Sequence, residues 1–170
     1  RRVLFRSEII ADAIELDIPL ASKEGFVRQV LGWREFVHHV HVATDGFRVP
    51  GPDPTGGNPE RGAAAGETTL DTGATPSFLR ANGPLPAVFW GEPSGLACLD
   101  RVVHDVWAEG YSHHITRLMV LSNIATLLGI EPRALSDWFW AAYTDAYDWV
   151  VEPNVIAMGT FGVGDLMTTK

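Results

Sequence analysis

Apolar side chains recur at three- and four-residue steps along most of this chain, which is the spacing of amphipathic helices. The pattern predicts one long helix over residues 23–42 with a single buried face. The apolar positions on that face are Phe26, Val30, Trp33, Val37 and Val40. The sequence contains no convincing run of alternating apolar and polar residues that would indicate a strand, so the expected fold class is all-α.

The same spacing predicts four further helices, with glycine and proline marking the joints between the later ones. These helices cover residues 8–16, 95–109, 113–128 and 134–150. Aromatic residues crowd the last of them, namely Trp138, Trp140, Tyr143, Tyr147 and Trp149. Such a group is typical of core packing, and it also fits a chain of oxidisable rings beside a buried cofactor.

Residues 44–76 interrupt the helical pattern. Glycine and proline are frequent in this segment, and large apolar side chains are scarce. Such a segment cannot bury enough surface to offset its chain entropy, so we expect a long flexible insertion. Its length exceeds the usual connection between two helices, which makes it either functional or dispensable.

Both ends of the chain are expected to be artificial boundaries. Residues 1–7 resemble the translation of a sequencing adapter and are set aside as a scar, the alternative being a genuine basic helix start. The chain stops at Lys170 without a terminating pattern. Residues 8–170 are therefore interpreted as part of a larger helical domain.

Composition narrows the classes of function. Hydrophobic residues make up 46% of the chain and charged residues 20%, which is enough apolar surface for a packed core. The net charge of −8 argues against a surface that binds polyanions everywhere, although a local basic stripe can still bind nucleic acid. No stretch approaches the roughly 20 apolar residues of a membrane span. The single cysteine, Cys98, excludes an internal disulfide and suits a reducing cytoplasm.

Two groups of histidines are candidates for chemistry. His113 and His114 are adjacent, and neighbours on a helix point about 100° apart, so they do not converge on one metal ion. From spacing alone, a capped helix start and a functional site are both open. His38, His39 and His41 also allow a metal-hydrolase reading, which is the weakest of the alternatives.

Arg117 and Asp145 are the charged residues that we single out. Each is flanked by apolar residues on a helix, and the two helices are expected to pack together. A partly buried arginine needs a carboxylate partner, so the two are predicted to pair, either as a structural salt bridge or as part of a cofactor site. No Gly-rich dinucleotide or phosphate-binding motif is present, which argues against a Rossmann or P-loop protein.

Several blocks of the sequence carry a family resemblance. Residues 25–36 resemble the Trp-Arg-Glu-Phe helix of photolyases, in the version of the iron–sulfur bacterial cryptochromes and prokaryotic (6-4) photolyases. Further similar blocks follow in family order at 85–90, 98–99, 110–123, 138–139, 145–150 and 153–154. Together they cover roughly residues 19–42 and 77–170, and ordered agreement of this kind is more specific than any one motif.

The resemblance implies an all-helical domain that binds FAD, a [4Fe–4S] cluster, and a lumazine antenna in a separate N-terminal domain. The implied activity is that of a lyase that repairs pyrimidine (6-4) photoproducts in UV-damaged DNA with light, acting on a base flipped from the duplex. This piece alone is expected to be inactive. The alternatives are a blue-light photoreceptor without repair activity and a helical DNA- or partner-binding module without a cofactor. The oligomeric state stays open.

The resemblance also assigns roles to residues near the flavin. His113 and His114 match the pair beside flavin and lesion, and His114 is the expected proton donor in repair. Arg117 and Asp145 match the pair against the flavin ring, where a cation would stabilise the reduced flavin. The further candidate flavin contacts are Asn123, Asn154 and Glu152.

Other matching positions concern the substrate, the electron path and the metal. Trp33 and Arg34 match positions that face the lesion, and Cys98 matches the first cluster cysteine, whose three partners would follow Lys170. The electron-relay positions are Trp90, Trp138 and Tyr147. The chain departs from the family pattern at residues 37–41 and before Pro153-Asn154, so the residue facing flavin N5 is either Val151 or Glu152.

Overall fold

The computed structural model of the chain describes residues 6–47, 77–164 and 167. These residues form helices joined by short connections, which confirms the all-α prediction. Within these ranges, β-type pairing is confined to an isolated bridge between Gly83 and Ile130. None of the helices described has the length and apolar character that a membrane crossing requires.

The first half of the described chain is dominated by one long helical rod. Helix α1 covers Arg6–Glu15, and the rod contains α2 (Leu20–Val27), a π-helical segment (Arg28–Trp33) and α3 (Arg34–Thr44). The backbone stays in the right-handed helical region at both junctions, so the three pieces are continuous. The buried face is narrower than predicted, because Val37 is buried whereas Phe26 is 45% exposed.

The second half holds a short 3₁₀ turn and four α-helices, two of which adjoin π-helical segments. In chain order these are the 3₁₀ turn (Ala87–Trp90), α4 (Ala97–Glu109), a π segment (Thr116–Ser122), α5 (Asn123–Leu127), α6 (Pro132–Ala142), α7 (Asp148–Glu152) and a π segment (Pro153–Gly159). Proline has no N–H to donate, which suits Pro132 to the first turn of α6 and Pro153 to the change of hydrogen-bond register after α7.

The prediction of one helix over 134–150 is wrong, because the chain leaves the helix at 143–147. Tyr143 has an extended backbone, and Tyr147 has one just before α7 begins. The amide of Thr144 donates to the carbonyl of Gly110 at 2.9 Å instead of continuing the helical ladder. The aromatic residues that the sequence placed on one helix therefore belong to α6, to this break and to α7.

Two clusters of buried apolar side chains hold the helices together. The larger one is built around α4, α5, α6 and the 3₁₀ turn, and its fully buried members include Phe89, Val106, Leu121, Leu135 and Trp138. The smaller one joins α3 to the last π segment through Val37, Phe47, Ile156, Ala157 and Met167. The long rod is thus attached to the rest of the fold mainly near its C-terminal end.

The predicted insertion begins later than the sequence suggested. Thr44 is the last residue of α3, and the turn that follows brings Phe47 into the smaller cluster, where its side chain is 2% exposed. Residues 44–47 are therefore a packed part of the fold. The remainder of the predicted insertion, 48–76, and the first five residues of the predicted adapter scar lie outside the described residues.

Gly110 ends α4 in a conformation that only glycine adopts without strain. Its φ is +63°, and a Cβ added there would lie 2.7 Å from Cγ2 of Thr144. We expect Gly110→Ala to lower the free energy of unfolding by about 1–3 kcal/mol, measured by urea unfolding. Gly129→Ala is the matched control, because Gly129 has a φ of +66° and open space around it. An equal loss in both variants would show that contact with Thr144 adds nothing.

Candidate functional site

The predicted pair of Arg117 and Asp145 forms in the structure. Nη1 and Nη2 of Arg117 donate to Oδ1 and Oδ2 of Asp145 at 3.0 and 2.9 Å, a two-pronged geometry that fixes both side chains. Nε of Arg117 donates to the carbonyl of Ser112 at 2.9 Å. Asp145 lies in the break after α6, so the interruption that the sequence did not predict is what turns its carboxylate toward Arg117.

Two tyrosine rings enclose the guanidinium of Arg117. Its central carbon lies 4.1 Å from the ring centre of Tyr143 and 5.2 Å from that of Tyr111. Contacts of this kind attract a cation to the face of an aromatic ring. The hydroxyl groups of Tyr143 and Ser112 are 2.7 Å apart and share a hydrogen bond. The sequence did not predict that Tyr143 and Ser112 meet, because nothing local relates positions 31 residues apart.

Burial raises the pKa of the Tyr143 phenol above its ordinary value of 10.0, while the hydrogen bond from Ser112 and the charge of Arg117 oppose the rise. The unfolded phenol therefore ionises first as the pH increases, and the unfolded chain then holds fewer protons than the folded one. Stability from this group is complete below the unfolded pKa and is lost as the pH rises through the folded pKa.

We expect Tyr143→Phe to remove this part of the alkaline decline in stability. The measurement is urea unfolding at a series of pH values above 9, comparing the slopes of the two proteins rather than their absolute stabilities. Difference absorbance of the phenolate should also show a late-titrating tyrosine that the variant lacks. Identical slopes would contradict the assignment.

The histidine pair sits just before Arg117 on the same connection. The rings of His113 and His114 are 4.3 Å apart between centres and tilted by 39°, and both residues are exposed. The carbonyl of His113 accepts the amides of Thr116 and Arg117 at 3.0 and 3.2 Å, and its Nδ1 accepts the amide of Ile115 at 3.2 Å. His113 thus caps a helix start, which is one of the two alternatives left open by the sequence.

Glu152 and Val151, the two candidates for flavin N5, are both buried. Oε1 of Glu152 accepts a hydrogen bond from Nη1 of Arg133 at 2.6 Å, and its Oε2 lies 2.9 Å from Nδ1 of His41. Val151 belongs to the larger apolar cluster. Glu152 is therefore tied to a buried ion-pair group, which contains Arg133, a residue that the sequence did not single out.

The two predicted asparagines differ in setting. Asn123 is exposed at the start of α5. Asn154 is partly buried, and its side-chain amide donates to the carbonyl of Val150 at 2.7 Å. Asn154 and Arg117 lie within π-helical segments, and Trp33 ends another. Three of the predicted site residues therefore share this unusual backbone. Segments of this kind occur frequently at functional sites.

The predicted lesion-facing residues lie beside further aromatic rings. The guanidinium of Arg34 is 4.8 Å from the ring centre of Trp149, and the ring of Trp33 is 5.6 Å from that of Phe36. Tyr147 stacks on Trp149 at 6.5 Å. The structure therefore places Tyr147, predicted for the electron relay, with this group.

Trp90 and Trp138, the other two predicted relay positions, are connected by a third tryptophan. Trp107 lies 6.0 Å from Trp90 and 6.4 Å from Trp138, between ring centres. Trp138 in turn lies 6.0 Å from Tyr143, the ring that stacks on Arg117. The aromatic series and the Arg117–Asp145 pair, which the sequence treated as separate features, are contiguous.

Known proteins give an independent comparison. A protein of Agrobacterium fabrum described as a (6-4) photolyase is 34% identical to this chain over 152 residues, which is 89% of the chain and 25% of the relative. This similarity supports membership of the photolyase/cryptochrome family. An uncharacterized protein of Acanthamoeba polyphaga mimivirus is 40% identical over 52 residues, covering 31% of the chain and 42% of that relative. No protein-family model matches the chain.

The photolyase relative is much longer than this chain, which spans about a quarter of its length. The activity, substrates and partners of a whole photolyase are therefore proposals for this chain. The donor set at Arg117 fits the flavin that the photolyase family implies. A cation and a half-exposed carboxylate are held together close to a serine hydroxyl, which suits a ring system carrying both N–H and carbonyl groups.

The iron–sulfur cluster of the implied photolyase subfamily does not fit this chain by itself. Cys98 is its single cysteine, exposed in the first turn of α4, and such clusters are held by four thiolates. Among the described residues, no three histidine, cysteine or acidic side chains come together as a metal site. His41 pairs with Glu152, so the metal-hydrolase reading finds no support in this part of the chain.

Proposed function

We propose that this chain forms the flavin-binding helical part of a light-driven DNA repair enzyme acting on pyrimidine (6-4) photoproducts. The observation that carries the proposal is the ion pair of Arg117 and Asp145, clamped by Tyr111 and Tyr143 directly after the histidine pair. Similarity to a (6-4) photolyase along 89% of the chain supports it.

In this proposal, the residues around Arg117 hold FAD, which when bound supplies the light-excited electron for repair. Arg117 presents a positive charge that favours the reduced flavin, and Asp145 keeps the guanidinium in place. Asn123 and Asn154 add polar contacts. Glu152 positions its segment through Arg133, which leaves Val151 as the simpler candidate to face flavin N5.

His114 is the proposed proton donor to the lesion. Since Nδ1 of His113 accepts a backbone amide, His113 is committed to the helix start, whereas the exposed ring of His114 packs against it. An imidazole ionises near neutral pH, so it can give a proton to a departing hydroxyl and recover it from solvent.

Trp33 and Arg34 are the proposed substrate contacts. Arg34 is a cation suited to a phosphate, and the neighbouring Trp149 and Tyr147 offer ring faces on which an extruded base can stack. The proposal further assigns Cys98 as one of four cluster ligands and a lumazine antenna to a separate domain.

The deciding experiment uses the full-length protein with a synthetic oligonucleotide that carries one (6-4) photoproduct. Blue light should restore the intact bases, and chromatography of the digested DNA would detect them. Flavin photoreduction without repair would indicate a photoreceptor instead. A purified protein without flavin absorbance would indicate a helical binding module, and either result would overturn the proposal.

A matched pair of histidine variants sharpens the test. His114→Asn should abolish repair while flavin content stays unchanged, because the proton donor is lost and the ion pair is kept. His104→Asn is the control and should leave repair unchanged, since the His104 side chain on α4 is 76% exposed. Equal repair in the two variants would remove His114 from the mechanism.

A further inference from the structure

We propose that Arg133, Glu152 and His41 form a buried triad that couples the rod, which carries the proposed lesion contacts, to the flavin-facing segment, residues 151–154. The inference rests on the proposed function, because the two parts that the triad joins are the proposed substrate contacts and the proposed flavin contacts. Arg133 and His41 are positioning residues in this scheme, since they act through Glu152. The family resemblance assigned a role to neither of them.

The triad lies where two departures from the photolyase pattern meet. Residues 37–41 differ from that pattern, and so does the residue before Pro153-Asn154. In the structure, Nδ1 of His41 lies 2.9 Å from Oε2 of Glu152. A change on the rod and a change in the flavin-facing segment are thus in direct contact, although they are far apart in the sequence. This contact indicates that the two changes belong together as a feature of this chain.

One face of α3 runs along one face of α7. Arg34, His38 and His41 follow each other at steps of four and three residues, so they share a side of α3. The guanidinium of Arg34 lies 4.8 Å from the ring centre of Trp149, and the ring of His38 meets the same indole edge-on at 5.7 Å. Trp149 and Glu152 are three residues apart on α7. The rod therefore contacts α7 at two points, through Trp149 and through Glu152.

Arg133 brings a third helix and a turn into the same group. Its Nη1 donates to Oε1 of Glu152 at 2.6 Å, and its Nη2 donates to the carbonyl of Gly46 at 2.5 Å. Arg133 lies in the first turn of α6, and Gly46 lies in the turn after α3. The side chains of Arg133 and Glu152 are both buried, so water cannot easily replace a lost partner. The ion pair thus holds α6, α7 and the end of α3 in one arrangement.

The proposed contacts to substrate and flavin both lie close to the triad. Arg34 and His41 are seven residues apart on one helix, which is about 10 Å along its axis. Val151 precedes Glu152 directly, and Asn154 follows two residues after it. A helix segment of this length moves as a unit. A displacement of Arg34 by a bound phosphate therefore reaches Glu152 and its neighbours through His41.

Such a connection makes two binding events depend on each other. DNA that fixes the rod also fixes Glu152, and with it the flavin-facing segment. Flavin that fixes this segment prepares the rod for DNA in turn. Linkage requires that the two effects on affinity are equal in size. Damaged DNA is therefore expected to order the flavin-facing segment through the triad.

The test is amide hydrogen exchange of the full-length, FAD-loaded protein, with and without a duplex that carries one (6-4) photoproduct. In the wild type, DNA should slow exchange about fivefold or more both on the rod and at residues 148–154. His41→Leu should keep the protection of the rod and reduce that of 148–154 to less than about twofold, because the contact with Glu152 is lost. His39→Leu is the matched control, since His39 is exposed on the same helix, and it should behave as the wild type.

The ratio of two DNA affinities gives a second readout, which a purely structural role would not change. The flavin-loaded wild type should bind the damaged duplex about fivefold or more tightly than the flavin-free wild type. Arg133→Lys keeps a cation for Glu152 but lacks the forked donor set that also reaches Gly46. This ratio should fall below about twofold in Arg133→Lys. A general loss of stability would weaken both affinities and leave their ratio unchanged.

Two results would overturn the triad and leave the proposed function standing. One is a wild type that repairs the lesion while DNA protects residues 148–154 equally in the wild type, His41→Leu and His39→Leu. The other is an unchanged ratio of affinities in Arg133→Lys. A wild-type protein that takes up no flavin would overturn both the triad and the proposed function.

Discussion

Replacing Trp138 by alanine is expected to lower the free energy of unfolding by about 3–5 kcal/mol, the usual cost of deleting a large buried aromatic side chain. The indole is 1% exposed and lies edge-on to Phe89, Phe139 and Tyr143 at 5.1, 5.4 and 6.0 Å between ring centres. Its N–H donates to the carbonyl of Phe89, so the substitution also leaves an acceptor with one partner fewer.

Urea unfolding followed by circular dichroism measures this loss. Trp140→Ala is the matched control, because Trp140 lies on the same helix and is 62% exposed. A surface substitution of this kind should change stability by no more than about 0.5 kcal/mol. Similar losses in both variants would mean that Trp138 is not the centre of the larger apolar cluster.

Replacing Arg133 by methionine is expected to lower the free energy of unfolding by about 3–5 kcal/mol, because the buried carboxylate of Glu152 loses its guanidinium partner while His41 remains. The side chains of Arg133 and Glu152 are 6% and 5% exposed, with Nη1 and Oε1 2.6 Å apart. Nη2 of Arg133 also donates to the carbonyl of Gly46, so one residue ties the turn after α3 to the end of α7.

A second substitution distinguishes the loss of the buried ion pair from the loss of side-chain packing. Glu152→Leu combined with Arg133→Met should regain a large part of the lost stability, because no unpaired carboxylate remains buried. Arg101→Met removes an arginine from the exposed pair with Asp105 and should have no measurable effect. A double variant as unstable as Arg133→Met alone would point to lost packing rather than charge. Urea unfolding of all four proteins gives the comparison.

The helices could be predicted from the sequence because their cause is local. Apolar residues three and four positions apart located the rod, α4 and the helix after the histidine pair within a few residues. The break at 143–147 could not be predicted, since Phe139, Ala142 and Ala146 continue the helical spacing through it. The helix is interrupted by the hydrogen bond from the amide of Thr144 to the carbonyl of Gly110 and by the ion pair of Arg117 with Asp145. In each of these contacts the two partners are far apart in the sequence.

One part of the candidate site could also be predicted from the sequence, and another part could not. Arg117 and Asp145 could be paired from the sequence, because each is a charge in an apolar setting that needs a partner. The grouping of Arg133 with Glu152, His41 and Gly46 could not, since Arg133 and Gly46 are 87 residues apart. Trp107 was visible as an aromatic residue, but its place between two others depends on how α4 packs against α6 and the 3₁₀ turn.

The atom that joins Trp107 to Trp138 belongs to the main chain, which has a practical consequence for mutational scans. Any of the twenty amino acids at position 89 still supplies that oxygen. A mutational scan would therefore detect the loss of either indole but could not remove the carbonyl to which both indoles donate. Chemical synthesis can reach it: an α-hydroxy acid in place of Trp90 turns the peptide link after Phe89 into an ester, a weaker acceptor. Coding variation alone leaves that oxygen in place.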